Sequence, residues 1–229
     1  MKTLVLDQTQ MQRRVARFKD LKPLGDLAGK TGAMPQDLKE LAAPQTVYGL
    51  TSPTGSNDRN FWDSGAVPAG TPNFGAVYVT APPGAGAGAH IHRYSYENFI
   101  ALKGSWRIAW NTPDQEEHVD LEPFDMVSVP PGAVRRFENI GDSEGLLLAF
   151  AYADQHSLTD SREAIMAPCE IDRLEKAFAG AGPEYGTHFD RMRQTAQAVA
   201  AGETEEDRRF AREVAEFVSV EAPQASVEP

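Results

Sequence analysis

The sequence predicts an all-β core, a sandwich or jelly-roll barrel, with a short N-terminal arm and a C-terminal α-helical tail. Nine short runs rich in β-branched and aromatic residues lie between Thr46 and Tyr152, separated by segments rich in Gly, Pro, Asn and Asp. Strands at this spacing, without helices between them, favour a sandwich or barrel. After about Asp160 the apolar residues recur at helical spacing instead.

The predicted strands lie at residues 46–51, 74–81, 89–94, 97–104, 105–111, 118–122, 125–129, 134–140 and 145–152. The glycine-alanine run at 81–89 superficially resembles a phosphate-binding loop. It has no Lys-Ser/Thr pair and no following helix, so we interpret it as a flexible lead-in to the third strand.

The change of pattern predicts four segments. Residues 1–60 form an arm packed on the barrel or on a partner subunit, residues 61–158 the barrel, residues 159–219 a helical tail and residues 220–229 a disordered end. Within the arm we expect a short strand at 2–6, a helix at 10–18 capped by Thr9, and a helix at 36–42. In the tail we expect three helices, the last capped by Thr204, whose apolar stripes dock on the barrel or on a second subunit.

Composition excludes several classes of partner. The 229-residue chain carries 22 basic against 33 acidic residues, a formal charge of −11, which disfavours nucleic acid, polyphosphates and anionic membrane surfaces. The single cysteine, Cys169, rules out an internal disulfide framework and fits a reducing cytoplasm. With no secretory signal or membrane-spanning run in the sequence, we expect a cytoplasmic protein.

The strongest functional signal is a trio of metal-ligand residue types. His90 and His92 lie two apart, so on a strand both imidazoles point to the same face. With Glu97 they make up the ligand set of a two-histidine, one-carboxylate divalent metal site. Because Glu97 follows His92 by an odd number of residues, the three converge only if the chain bends or bulges around residues 94–96.

The spacing around this trio resembles a known motif: Gly84, five residues, His90-Ile91-His92, four residues, Glu97, six residues, Gly104. A second motif follows as Phe124-Asp125, Pro130-Pro131-Gly132 and Asn139. Over roughly residues 70–152 the chain resembles the cupin superfamily. The resemblance implies a double-stranded β-helix that holds a divalent transition metal, commonly Fe, Mn, Ni or Zn, with His90, His92 and Glu97 as three of the four usual ligands.

Two positions depart from the family pattern. Phe124 stands where the second motif has a glycine, which changes a turn. Arg135 stands where that motif has the histidine that is the fourth metal ligand, and the spacing to Gly132 and Asn139 is intact. A guanidinium is protonated at any ordinary pH and has no lone pair to offer a metal.

Arg135 therefore leaves three alternatives. In the first, two His and one Glu hold the metal, and the two-pronged donors of Arg135 orient an anionic substrate. In the second, Arg135 pairs with Glu97 and the ion pair replaces the metal in a binding pocket. In the third, Arg135 turns outward and pairs with surface acids.

Other polar residues near the motif are weaker candidates. Tyr94 and Tyr96 flank the metal motif and are candidates to donate a hydrogen bond to bound oxygen, although packing at the barrel rim is the alternative. We take Tyr96, together with Arg135, as a candidate catalytic residue. His118, His156 and His188 are possible replacements for the missing ligand, but a lone histidine is more typical of a surface or hydrogen-bonding residue.

Together these features favour a metal-dependent oxidoreductase, a non-heme iron-type dioxygenase with Fe(II) preferred over Mn, Ni or Zn, acting on a small anionic or aromatic molecule. The alternatives are a metal-dependent isomerase or lyase, a metal-free ligand-binding or sensor protein with an Arg135–Glu97 pair, and a degenerate barrel that serves assembly. We expect a small-molecule substrate and a homodimer, and no nucleic-acid or membrane partner.

Overall fold

The computed structural model describes residues 3–24, 35–53, 67, 70–153 and 163–219. The strands are β1 (Thr46–Thr51), β2 (Phe74–Ala81), β3 (Gly86–His92), β4 (Tyr96–Lys103), β5 (Trp106–Trp110), β6 (Glu117–Leu121), β7 (Met126–Val129), β8 (Val134–Asn139), β9 (Gly145–Tyr152) and β10 (Ala164–Met166). The helices are α1 (Gln8–Gln12), α2 (Gln36–Ala42), α3 (Pro168–Ala177), α4 (Pro183–Ala201) and α5 (Glu205–Ser219). The predicted disordered end at 220–229 and His156 lie outside the described residues.

Two antiparallel sheets of five strands face each other across the core. The first sheet has the order β1-β2-β9-β4-β7 and the second has the order β10-β3-β8-β5-β6. From β3 onward the chain crosses repeatedly from one sheet to the other, as β4, β7 and β9 belong to the first sheet and β5, β6, β8 and β10 to the second. This winding confirms the predicted all-β core with a double-stranded β-helix architecture.

Alternating side chains from both sheets fill the space between them. The Phe99 and Phe137 rings lie 5.4 Å apart between centroids, and Trp106 and Phe137 lie 6.0 Å apart. Trp106, Phe99, Ile108 and Leu147 are fully buried. Each such side chain contributes about 1.5–3 kcal/mol to stability by leaving water, so this core makes the sheets a rigid frame for any site between them.

All nine predicted strands are present, but the start of β3 differs from the expectation. Strand β3 begins at Gly86, inside the glycine-alanine run that we interpreted as a flexible lead-in. The glycine has a packing reason: a Cβ on Gly86 would lie 1.9 Å from the carbonyl oxygen of Phe137 on the neighbouring strand. The run is therefore ordered strand whose small residues let β3 approach β8 closely.

Strand β10 was not predicted. It has three residues in a region of helical character and pairs antiparallel with the free edge of β3. Its hydrophobic pattern is too short to show a period of two, so only tertiary pairing defines it.

The N-terminal segment differs from its prediction. Residues 3–6 form no strand, and α1 begins after Asp7 instead of Thr9. The Asp7 carboxylate accepts from Gln10 N (2.7 Å) while the Gln10 side chain accepts from Asp7 N (2.8 Å), a reciprocal cap that the Thr9 assignment missed. A separate 3-10 turn, Phe18–Asp20, then places the Phe18 ring 5.5 Å from those of Tyr48 and Tyr78.

The predicted helix at 36–42 and the three predicted tail helices are present. Helices α2, α3 and α4 share a second apolar cluster that contains Leu38, Ala42, Ile171, Leu174, Phe189 and Met192. Thr204 caps α5 as expected, since its Oγ1 accepts from Asp207 N at 3.1 Å. Among the described helices, none combines the length and the apolar character that crossing a bilayer requires.

Candidate metal centre

His90 and His92 lie at the end of β3 and present their imidazoles to each other, with ring centroids 5.3 Å apart. The bend at residues 93–95 then carries the chain from the second sheet to the first, where β4 begins. Glu97 on β4 therefore faces the two histidines from the opposite sheet. The bend expected around residues 94–96 is thus the crossing between the two sheets.

Strand register determines what surrounds the trio. In the second sheet, His90 pairs with Arg135 on β8 and with Met166 on β10, and Arg135 also pairs with Trp110 on β5. In the first sheet, Glu97 pairs with Val129 on β7 and with Ala151 on β9. Residues directly opposite each other on neighbouring strands point to the same face of their sheet. The row that contains His90 therefore faces the row that contains Glu97 across the space between the sheets. The row around His90 contains the positively charged Arg135, and the residues beside Glu97 in its own row are apolar.

The three candidate ligand atoms converge on one point. Glu97 Oε2 lies 3.5 Å from His90 Nε2 and 3.4 Å from His92 Nε2. One ligand atom from each residue lies within 4.8 Å of the others, and this is the one such group among the described residues. Ligand bonds of ~2.1 Å at tetrahedral angles place two ligand atoms about 3.4 Å apart, so these separations fit a shared transition-metal ion.

The other ring nitrogens fix which lone pairs face the centre. His90 Nδ1 lies 2.9 Å from the carbonyl oxygen of Gly88, which can only accept, so Nδ1 carries the proton. His92 Nδ1 lies 3.3 Å from both Glu163 Oε1 and the Ser95 hydroxyl oxygen. Since that hydroxyl donates its own proton to Glu163, both neighbours are acceptors and Nδ1 again carries the proton. In the neutral imidazoles both Nε2 lone pairs therefore point toward Glu97 Oε2. This is the tautomer that metal-ligating histidines adopt.

The centre is electron-rich and partly closed to water. Glu97 Oε2 is buried and has no hydrogen-bond donor within the described part of the chain. Two nitrogen lone pairs and one carboxylate oxygen in mutual contact repel one another unless a cation lies between them. The donor set and its geometry thus fit a divalent metal ion.

Arg135 is fully buried, with 0% of its side chain exposed, so the alternative in which it turns outward is wrong. Its Nη2 donates to the carbonyl oxygens of Pro130 (2.7 Å) and Ala133 (3.1 Å), and its Nε donates to Ala133 O (3.3 Å). Nη1 lies 3.6 Å from Glu97 Oε2 and has no hydrogen-bond acceptor of its own among the described atoms. The two-pronged anion binding expected in the first alternative is therefore not available, because only Nη1 remains free.

Electrostatics favour a charged Glu97. Burial raises the pKa of this carboxyl, but in the metal-free protein His92 and His90, when they carry a positive charge, and Arg135 oppose the effect and together bring the pKa down to about 2. Burial lowers the pKa of the Arg135 guanidinium, while Glu97 and Glu163 act in the opposite direction. A carboxylate held ionised beside imidazoles is a competent metal ligand.

Glu163 belongs to the site although no feature of the sequence pointed to it. It lies just before β10, and its side chain is only 9% exposed. Its Oε1 contacts His92 Nδ1, and both carboxylate oxygens accept from the bend at residues 93–95. Glu163 and His92 are 71 positions apart in the sequence, and the pairing of β10 with β3 brings them together.

The remaining sequence candidates that the structure describes do not reach the centre. Tyr96 is the neighbour of Glu97 on β4, so strand alternation directs its side chain to the other face and its catalytic role gains no geometric support. Tyr94 donates its hydroxyl to Asp207 at 2.9 Å, toward α5. His118 lies exposed on β6 and His188 lies in α4.

The second motif lies in turns and at a strand end, and of its residues Pro130 supplies a carbonyl oxygen to Arg135. Asn139 is fully buried, donates to the carbonyl oxygens of Ala81 and Ser143 (2.8 Å each), and accepts from Gly141 N (3.0 Å). Phe124, which replaces the motif's glycine, has a positive φ of 79° and an 82% exposed side chain. The turn geometry of the glycine is therefore kept at a cost in backbone strain.

Comparison with known proteins agrees with this architecture. Residues 77–150 match the family model described as Cupin domain. A comparison with curated protein sequences finds no match.

Among solved structures, the chain is similar to peruvianin-I, a cysteine peptidase from Thevetia peruviana latex, at 16% identity over 62% of this chain and 73% of that one, with a TM-score of 0.43. It is also similar to the Cnp3 cupin domain of Schizosaccharomyces pombe at 18% identity, over 48% of this chain and 65% of that one, with a TM-score of 0.37. A variant of Bacillus subtilis oxalate decarboxylase is 23% identical over 48% of this chain, with a TM-score of 0.37, and the match covers only 26% of the decarboxylase. Residues 77–150, which carry His90, His92, Glu97 and Arg135, are a cupin domain.

Proposed function

We propose that this cupin is a metal-dependent enzyme in which His90, His92 and Glu97 hold a divalent transition metal, with Fe(II) the first choice. The observation that carries the proposal is the convergence of both Nε2 atoms on Glu97 Oε2, at 3.5 and 3.4 Å, while each Nδ1 is held by an acceptor. Three protein ligands leave coordination positions for substrate or for O2, as two-histidine, one-carboxylate iron sites do.

The charge of the loaded site favours an anionic substrate. A divalent ion together with Arg135 and the carboxylates of Glu97 and Glu163 leaves one uncompensated positive charge if both histidines are neutral. Buried charge of this kind is costly without a counterion, so a carboxylate or enolate is the complementary ligand. Arg135 Nη1, which is buried and has no acceptor among the described residues, is the donor that would contact such a group.

The walls of the site favour a small and partly apolar molecule. Trp110 and Met166 occupy the same cross-strand row as His90, and Val129 and Ala151 flank Glu97. Pockets lined by such residues with a few fixed polar groups are typical of small-molecule sites. Together with the charge, this lining supports a small aromatic or unsaturated acid as the substrate class.

In this proposal the enzyme is a dioxygenase of the non-heme iron type. The bound metal would supply Lewis acidity and, as Fe(II), reactivity toward O2. The protein's own residues orient the substrate anion through Arg135 and keep the two imidazoles in the tautomer that faces the metal. An isomerase or lyase using the same site would need only the Lewis acidity.

A second candidate function is a metal-free ligand-binding cupin. It is favoured by the 3.6 Å approach of Arg135 Nη1 to Glu97 Oε2, which neutralises both charges without an ion. In that case one imidazole has to be protonated to donate to Glu97, since neutral imidazoles of the observed tautomer present only lone pairs to it.

Metal analysis separates these two candidates. Protein loaded anaerobically with Fe(II), and separately with Mn, Ni and Zn salts, is desalted and its metal content measured. We expect one ion per chain in the wild type, little in the His90→Ala and His92→Ala variants, and full loading in His118→Ala, which removes an exposed histidine outside the site. Wild-type protein that retains no ion under any of these conditions would favour the metal-free candidate.

Oxygen uptake separates the dioxygenase from the isomerase or lyase. The Fe(II)-loaded protein is screened against a panel of small aromatic and aliphatic acids with an oxygen electrode and with product analysis under nitrogen. Uptake that requires both substrate and Glu97 supports the dioxygenase. Turnover that continues without oxygen would replace it with the isomerase or lyase.

A further inference from the structure

Glu163 is a buried carboxylate that accepts hydrogen bonds from one metal-ligand candidate and from the whole bend that follows it. Its Oε1 lies 3.3 Å from His92 Nδ1 and accepts from Ser95 N at 3.1 Å and from the Ser95 hydroxyl. Its Oε2 accepts from Tyr94 N at 2.8 Å. Its own carbonyl oxygen accepts from Arg93 N, also at 2.8 Å.

We propose that Glu163 is the positioning residue for His92: it holds the imidazole in the tautomer and orientation that direct Nε2 to Glu97, and it holds the bend that places Glu97 opposite. This inference rests on the proposed metal site for its functional meaning. The contacts themselves need no metal, so the structural part of the inference can be tested on metal-free protein.

The number of donors requires a carboxylate at this position. Four protons, from His92, the Ser95 hydroxyl and two backbone amides, point at the two oxygens of one side chain. An ionised carboxylate has about four lone-pair positions and no proton, so it can accept all of them. A glutamine of the same shape has a single oxygen, and its NH2 group would face at least one of the donors.

The two histidines differ in how they are held. His90 Nδ1 donates to a backbone carbonyl, that of Gly88, at 2.9 Å, whereas His92 Nδ1 donates to a side chain. A change at residue 163 should therefore alter His92 and leave the tautomer of His90 intact. His90 thus serves as an internal control within the same molecule.

The support for Glu163 comes from β10. The three residues of β10 pair with β3, with Ala164 opposite His92 and Met166 opposite His90. Ala167 N also donates to Ala89 O at 2.9 Å. The short strand thereby fixes Glu163 to the same strand that carries both histidines, which gives β10 a role in the site.

The first test uses nitrogen NMR of the histidine rings in metal-free protein, comparing the wild type with Glu163→Gln. In the wild type we expect both His90 and His92 as Nδ1-protonated tautomers. In Glu163→Gln we expect the His92 ring to become a mixture of tautomers while His90 is unchanged. Retention of the wild-type His92 signals in the variant would overturn the inference.

The second test measures Co²⁺ binding by its visible spectrum and by competition with a chelator. Loss of a group that orients a metal-ligating histidine typically weakens metal binding by about 10–100-fold, which is the loss expected for Glu163→Gln, with a changed Co²⁺ spectrum. Wild-type affinity and spectrum in the variant would refute the role of Glu163 while leaving the proposed metal site standing. If the wild type itself binds no Co²⁺, the proposed function fails, and the NMR result alone decides the positioning role.

A stability control separates positioning from general damage. Glu170→Gln removes another buried carboxylate, one that pairs with Arg173 (2.6 Å), packs against Gly88 and has no hydrogen bond or ion pair to His92 among the described contacts. We expect it to lower the melting temperature without altering the His92 tautomer. The same tautomer change in Glu170→Gln would show that loss of buried charge is enough, and would overturn the specific role of Glu163.

Discussion

Arg135 Nη1 lies 3.6 Å from Glu97 Oε2 inside the barrel. The arginine that stands in place of the family's fourth metal ligand is therefore in contact with Glu97, the candidate carboxylate ligand. Its other donors are committed to the carbonyl oxygens of Pro130 and Ala133. The guanidinium is therefore fixed by its own turn and acts on the centre mainly through its charge. A fixed positive charge beside a metal site lowers the affinity for the metal and raises the affinity for an anion.

Arg135→Met should strengthen metal binding by about tenfold or more, because it removes a positive charge close to the ion. In the metal-free protein the same change should cost about 3–5 kcal/mol of stability, because Glu97 loses its buried partner. Chelator competition with Zn²⁺ and thermal unfolding in EDTA measure the two effects. Arg136→Met is the matched control, since that neighbouring guanidinium pairs with Glu116 and Glu138 and does not contact the centre. Equal metal affinity in the wild type and Arg135→Met would contradict the electrostatic role.

Arg135→His tests whether the position still has the geometry of a ligand. It lies directly opposite His90 in the β3–β8 pairing, so an imidazole there would point to the same face. We expect Arg135→His to bind metal more tightly than Arg135→Met, because it adds a ligand as well as removing a charge. Similar affinities in the two variants would show that the side chain at this position cannot reach the ion.

Glu97 should give the metal-free protein a characteristic response to acid. Its pKa falls from 4.5 to about 2 in the folded chain, so the charged carboxylate contributes stability that is complete above 4.5 and is lost as the pH falls toward 2. Glu97→Gln lacks this contribution. The difference in free energy of unfolding between wild type and variant should therefore shrink as the pH falls through that window. Urea unfolding in EDTA across the acid range measures it, and a difference that is constant with pH would contradict the assignment.

Phe124 carries backbone strain where the family motif has glycine. A non-glycine residue at a φ of 79° costs roughly 1–2 kcal/mol, and the exposed ring returns little by packing. Phe124→Gly should therefore raise the free energy of unfolding by about 1 kcal/mol. Phe124→Ala separates the causes, because it removes the ring but keeps the Cβ and should bring little gain. If alanine stabilises the protein as much as glycine does, the exposed ring and not the backbone is the cause.

Local rules predicted most of the fold and part of the site. The period-two pattern and the turn residues identified nine strands, and the offset between His92 and Glu97 correctly required a bend. The same parity argument, applied to Tyr96 next to Glu97, would have directed Tyr96 to the opposite face. The alternation of side chains along β4 is therefore enough to exclude Tyr96 from the face that carries Glu97.

The rest of the site depends on contacts that no local pattern encodes. Glu163 reaches His92 only because a three-residue strand pairs with β3, and three residues are too few for a periodic signal. The motif spacing predicted where Arg135 stands in the barrel but not which acceptors its guanidinium contacts. In the structure Nη2 donates to the carbonyl oxygens of Pro130 and Ala133, close to it in sequence. The direction of a long flexible side chain follows from its partners, which become visible only in three dimensions.

Within the described part of the chain, helix α5 is attached to the bend beside the candidate metal centre through Asp207. The Asp207 carboxylate accepts from the Tyr94 hydroxyl at 2.9 Å and lies 3.7 Å from Arg93 Nη2, while none of the helix's residues is fully buried. The Tyr94 and Phe210 rings add a contact with centroids 6.3 Å apart. Among the described residues, α5 is therefore held by a few polar bonds at one end, a pattern typical of segments that open locally at low cost in free energy.

Asp207→Asn should loosen α5 without unfolding the barrel. The change weakens the bonds to Tyr94 and Arg93 and the reciprocal cap with Thr204, whose backbone N donates to Asp207 Oδ2 at 2.7 Å. Hydrogen exchange should become faster by roughly tenfold in α5, corresponding to about 1–1.5 kcal/mol for a lost cap and charged hydrogen bond, and should be unchanged in β4 and β9. Glu206→Gln is the matched control, since its carboxylate pairs only weakly with Arg209 (3.6 Å) on the exposed side. Exchange that accelerates equally in both variants would show that helix charge, and not attachment to the bend, governs the stability of α5.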